Sequence, residues 1–135
     1  AAYAAQVAAA AARDARVHWH PRFVPDNEIQ MWMNAADAVV LPYRRITTSG
    51  AALLAWSFGK PVIAPALPAF TGPMQDAPFL GVTYDPADAN GLAQALHHAA
   101  GVDWASRRAA ILEWVQQFDW PGIGRQMIAF YRQVR

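Results

Sequence analysis

The sequence predicts an α/β domain, a doubly wound parallel sheet, and three observations carry that reading. Two short, continuously apolar runs, residues 38–41 and 61–66, look like strands covered on both faces, not like the alternation of a half-solvated sheet. Between them lie a glycine-bearing loop, Thr47-Thr48-Ser49-Gly50, and an apolar stretch of helical length, residues 51–58. Helix-like and strand-like stretches alternate over the rest of the chain, as a parallel sheet with crossover helices requires.

Residues 1–15 are Ala-rich, place Tyr3 and Val7 four apart and contain no breaker, so they read as a helix. Val17-His18-Trp19-His20 reads as a short strand stopped by Pro21. Pro25-Asp26 opens the next helix, with Asp26 as N-cap and Glu28 in the first turn. Ile29, Trp32, Met33 and Ala36 fall at helical spacing and predict its buried face. After the strand at 38–41, Thr47, Thr48, Ser49 and Gly50 offer caps for the helix at 51–58, which is apolar nearly all round and must be buried on more than one side. Gly59 ends it, and residues 61–66 form the second covered strand. Pro65, Pro68, Gly72, Pro73 and Pro78 predict a loop, with at most a helical turn over 74–77, before a last strand at 81–84. Asp88 caps a helix through residue 98, with Leu92, Ala95, Leu96 and Ala99 on one face. Asp103 caps another, with Ile111, Leu112, Val115 and Phe118 inward. Pro121 starts a third, striped by Ile123, Met127, Phe130 and Val134, so helices fill residues 103–135.

At 135 residues, 55% of them hydrophobic and 16% charged, the chain forms a single globular domain over 1–135. A net charge of +1 offers no basic surface for nucleic acid. The absence of cysteine excludes disulfide scaffolds, thiol catalysis and Cys-based zinc sites, and fits a cytoplasmic setting. No apolar run is long enough to cross a membrane, and the N-terminus does not read as a signal peptide.

The loop at 47–50 is the strongest chemical candidate. A glycine loop opening onto a helix presents backbone N–H groups and small side chains to a phosphate, although Thr47, Thr48, Ser49 and Gly50 also make an ordinary helix cap. Arg44 and Arg45 add charge nearby, Arg45 being closer to the loop, or are simply solvated. His18 and His20 share a strand face, but no third ligand is evident, so no metal site is predicted. Trp32, Trp56 and Trp114 lie on faces expected to be buried, and packing accounts for them. Asp37, at a helix-to-strand junction, is expected to bond turn amides.

Five pieces in order carry a resemblance: Phe23-Val24-Pro25-Asp26; Ala36-Asp37 and its strand; Gly59-Lys60-Pro61-Val62-Ile63; Gly81-Val82-Thr83-Tyr84 with Asp88 and Leu92-Ala93-Gln94-Ala95-Leu96; and Phe118, Trp120 and Tyr131. Together they resemble the C-terminal, nucleotide-sugar-binding half of the group 1 retaining glycosyltransferases, which have two Rossmann-like domains (the GT-B architecture). The resemblance implies a Rossmann-like donor-binding domain lacking its first strands, with a nucleotide-diphosphate sugar as substrate and no cofactor. It implies donor or phosphate contacts at Arg45, Thr47, Thr48, Ser49 and Gly50, with Arg22 and Phe23 at the base pocket unless Phe23 anchors the core. It implies as partner an acceptor-binding N-terminal domain, absent here, through which a cytoplasmic enzyme could associate with a membrane.

The departures are specific. The family's two glutamates, eight positions apart, fall at Ile46 and Leu54, whose side chains accept no hydrogen bond. The glycine expected after the strand at 17–20 is replaced around Pro21-Arg22, and neither the family's two first strands nor its diphosphate-neutralising Arg/Lys pair has a counterpart. The chain therefore reads as a piece of an enzyme, inactive by itself and with at best millimolar affinity for a nucleotide diphosphate. Two rivals stand beside this: a degenerate transferase half acting as a binding or assembly module, and an unrelated doubly wound protein. A receiver-like domain needs an acidic cluster that Asp37 and Asp85 do not form. An epimerase needs a Gly-x-Gly-x-x-Gly start and a Tyr-x-x-x-Lys pair, and Lys60 is the sole lysine.

Overall fold

The computed structural model describes residues 2–133. The chain divides into two compact units, Ala1–Gln30 and Met31–Arg135.

In the first unit, helix α1 spans Ala2–Ala11 and stops short of the expected residue 15. The reason is local: the Asp14 carboxylate takes both the backbone N–H of Arg16, at 2.9 Å, and its guanidinium, a turn that competes with helix. The hydrogen-bonded Arg16 side chain holds the Asp14 carboxyl below its ordinary pKa. Residues 17–20 do not form the expected strand. The N–H of Val17 donates to Asp14 O, that of Arg22 to His20 O, and no described strand supplies a ladder partner. Helix α2, Asp26–Ala35, carries the chain into the second unit. Its first turn closes from Glu28 N–H onto Pro25 O, so Asp26 stands inside the helix and not at its N-cap. The face expected to be buried is not: Ile29 and Met33 are half-buried, and Trp32 is 39% exposed.

The second unit is built on a parallel sheet of β1 (Val39–Val40), β2 (Val62–Pro65) and β3 (Gly81–Tyr84), in that spatial order. Val39 pairs with Val62, and Val62 with Gly81. Helices α3 (Gly50–Ser57) and α4 (Pro68–Asp76) make the two crossovers, followed by α5 (Gly91–Ala100), α6 (Arg108–Val115) and α7 (Trp120–Gln133). β2 is buried at every position, as its apolar run predicts. Val62 and Ala64 pack with Trp56, Phe70, Leu80 and Ile111 on one side, whereas Ile63 packs with Ala95 and Ala99 of α5 on the other. Helices therefore cover both faces of β2, which makes the unit doubly wound and Rossmann-like. Strand β1 is shorter than expected and less covered, with Val40 38% exposed.

Gly59 ends α3 with φ 69°. Its N–H donates to Trp56 O and that of Lys60 to Ala55 O, the paired bonds of a Schellman turn. Helix α3 meets α6 through Trp56 and Trp114, whose rings lie edge to face at 5.2 Å, and the buried Trp56 indole N–H donates to Leu80 O at 3.0 Å. The expected loop after β2 is instead the helix α4. Leu67 precedes Pro68 at its first position, and Phe70 and Met74, both buried, hold it to the core despite Pro73 within. Helix α5 starts later than expected: Asp88 does not cap it but turns the preceding loop, accepting the N–H of Asn90 at 2.8 Å. Asp103 likewise accepts from Ser106, ahead of an α6 that begins at Arg108. Inward side chains were also overestimated: Ile111 is buried, but Leu96 and Phe118 stand 42% and 43% exposed. In α7, Met127 and Phe130 are more than half exposed, and Val134 lies outside the described residues. No described helix is long and apolar enough to cross a membrane.

Candidate functional site

Strand β1 delivers the chain to the carboxyl end of the sheet, and residues 42–49 form the loop that leads into α3. Tyr43 folds over this loop's base, its ring stacked on Phe70 at 6.2 Å. Arg44, Arg45, Thr47 and Thr48 are exposed, while Ser49 is buried to 8% exposure. Ser49 is the N-cap: its backbone is extended, and its Oγ accepts the N–H of Ala52 at 3.1 Å. Its carbonyl takes the N–H of Leu53, which closes the first turn. The N–H groups of Gly50 and Ala51 precede that turn and leave the helix at its positive end.

Thr47, Thr48 and Ser49 also line a pocket of about 280 Å³ whose other walls are Leu53 and Trp56 of α3, Pro68 and Ala69 of α4, and Trp114 and Phe118. No motif signalled these further walls. Those beyond α3 come from residues distant in the chain, and Pro68 and Ala69 belong to a helix expected to be loop. Ile46 turns into the core and packs against its apolar cluster, and Leu54 is half-buried, so both positions present hydrocarbon.

The remaining candidates are placed as follows. Phe23 is 84% exposed, which excludes the core-anchoring role considered for it. Arg22 pairs with Glu28, and that hydrogen-bonded carboxylate raises the guanidinium pKa further. His18 and His20 lie on the irregular segment after α1 in the first unit, and no three His, Asp or Glu side chains group as metal ligands among the described residues. Asp37 forms no bond to a turn amide among the described residues. It is exposed and lines a cavity at the amino end of the sheet. Of the three tryptophans expected in the interior, Trp56 is buried, Trp114 is half-buried against it, and Trp32 is exposed.

The site is thus the open N-terminus of a helix buried on one face, not all round as its composition predicts, with Leu53 40% exposed. It stands at the carboxyl end of a parallel sheet, Thr47 and Thr48 line the pocket beside it, and neither Arg44 nor Arg45 is among that pocket's walls. Doubly wound folds bind ligands at this end of the sheet. No curated protein matches the chain. Residues 2–101 match the family described as Glycosyl transferases group 1, most of the chain and every strand of the sheet, so the chain belongs to the group 1 glycosyltransferases.

Proposed function

We propose that the chain is the donor-binding half of a glycosyltransferase, holding a nucleotide-diphosphate sugar while a separate domain brings the acceptor. The donor diphosphate would sit over the N-terminus of α3, taking backbone N–H groups of Thr48, Ser49 or Gly50, with the Thr47 and Thr48 hydroxyls and Arg45 beside it. Charge grows on the leaving diphosphate as the glycosidic bond breaks, and the helix end with these donors stabilises it. The catalysis is electrostatic, and no cofactor enters it.

Gly50 carries the reading. Among the described residues, only Gly59 and Gly81 have positive φ, and a Cβ added at Gly50 meets nothing within 4 Å. Neither backbone conformation nor packing explains a glycine at this helix start. Gly72 and Gly124 share both properties. It is the place of Gly50 in the first turn of α3, at the carboxyl end of the sheet, that favours close approach of an external group to its backbone. A second reading, a transferase half serving as a binding or assembly module, is favoured by the hydrocarbon at Ile46 and Leu54, where the resembled enzymes carry acceptors for sugar and ribose.

Titration with UDP, GDP and ADP, read at the amides of residues 47–50, tests the site: one nucleotide should shift them saturably. In the complete enzyme, Gly50→Val should lower donor affinity by about tenfold or more, with the melting temperature unchanged. Undiminished donor affinity in that variant would remove the loop from the site. Absence of any nucleotide response would leave the assembly reading in its place.

A further inference from the structure

A cavity of about 530 Å³ opens at the amino end of the sheet, the opposite end from the 47–50 loop. Its charged walls are Asp37 from the α2–β1 junction, Lys60 from the turn after α3, Asp103 from the α5–α6 connection, and Arg108 at the start of α6. Among these four described residues no two are joined by an ion pair, so the charges do not neutralise each other directly.

Local contacts position three of them. The Arg108 stem crosses Gly59, where a Cβ would lie 2.7 Å from its Cγ, so the missing side chain is what seats the arginine beside Lys60. Lys60 Nζ donates to Asn34 O at 3.3 Å, which leaves donors of the ammonium unused. Asp103 is turned by Ser106, whose N–H its Oδ1 accepts at 3.3 Å. The Trp104 ring lines the same space, fixed by its Nε1–H donating to Ala99 O at 2.8 Å.

We propose that this cavity binds a small zwitterion. Its anionic end is met by Lys60 and Arg108, its ammonium by Asp37 and Asp103, and its short carbon chain by the part of Trp104 that lines the cavity. The Arg107 guanidinium lies over the same ring at 5.1 Å. The two carboxylates repel a simple anion and the two cations repel a simple cation, so a ligand carrying both charges is the one that satisfies all four groups. The site shares no residue with the donor loop and stands or falls separately from it.

Glycylglycine is the probe, titrated into the full chain with the Trp104 indole N–H and Lys60 amide resonances as readout. N-acetylglycylglycine, anionic only, and glycylglycine amide, cationic only, are the controls. Saturable shifts are expected with glycylglycine in the roughly millimolar range, with each control about tenfold weaker or more. Asp37→Asn and Lys60→Gln should each weaken binding about tenfold, while the amides of residues 62–64 keep their positions and report an intact sheet. An equal response to all three probes, or none up to about 50 mM glycylglycine, overturns the proposal. So does undiminished binding in both variants.

Discussion

Gly81 enters β3 at φ 154°, directly opposite Val62, and a Cβ there would collide with the Val62 carbonyl oxygen. Backbone conformation and ladder spacing both demand glycine. Gly81→Ala should therefore cost about 3 kcal/mol or more in urea unfolding, far beyond an ordinary strand substitution, and a variant as stable as the parent would contradict that account. The sequence marked Gly81 as the start of a strand but held no sign of the collision, which depends on a residue nineteen positions earlier. Ser49 was more legible. It was among the caps anticipated before an apolar helix, and its hydroxyl makes that cap because the helix N-terminus needs an acceptor whatever else surrounds it. Asp88 and Asp103 show the converse. Their carboxylates mark the neighbourhood of a helix start, yet the helix begins elsewhere because an aspartate can equally turn the loop ahead of it.

At the scale of elements, β2 was readable because burial on both faces leaves a continuous apolar run. Helix α4 was not, because Gly72 and Pro73 suppress helix locally and only the burial of Phe70 and Met74 overrides them. Gly72 has open space around it and no positive φ, so Gly72→Ala should stabilise the domain by about 1 kcal/mol, measured as a higher melting temperature. A drop instead would mean that the segment is not helical. The stripes of α2 and α7 point to a different gap: periodicity shows that a helix has an apolar face, not that anything covers it. Residues 17–20 have strand composition, but a strand also needs a partner. The pocket beside the loop was unreadable for a related reason, since Trp114 and Pro68 reach it only through the packing of α4 and α6.

Over the whole molecule, burial is concentrated in β2, α3 and the residues they touch, whereas α1 has one buried residue and α7 shows none among its described side chains. Hydrogen exchange should follow that gradient. The amides of residues 62–64 should exchange only through global unfolding, and those of α7 orders of magnitude faster. Uniform protection along the chain would show a cooperativity that this distribution of contacts does not support.

The strand order carries a kinetic consequence. Each strand of β1-β2-β3 pairs with the next one along the chain, so each register is closed by a single crossover of roughly twenty residues. No pairing has to wait for a distant segment to return, and the entropy lost on closing each loop is recovered before the next loop closes. The sheet can assemble outward from β2 one crossover at a time, with compaction of α3 and α4 as the steps that bring its neighbours into register.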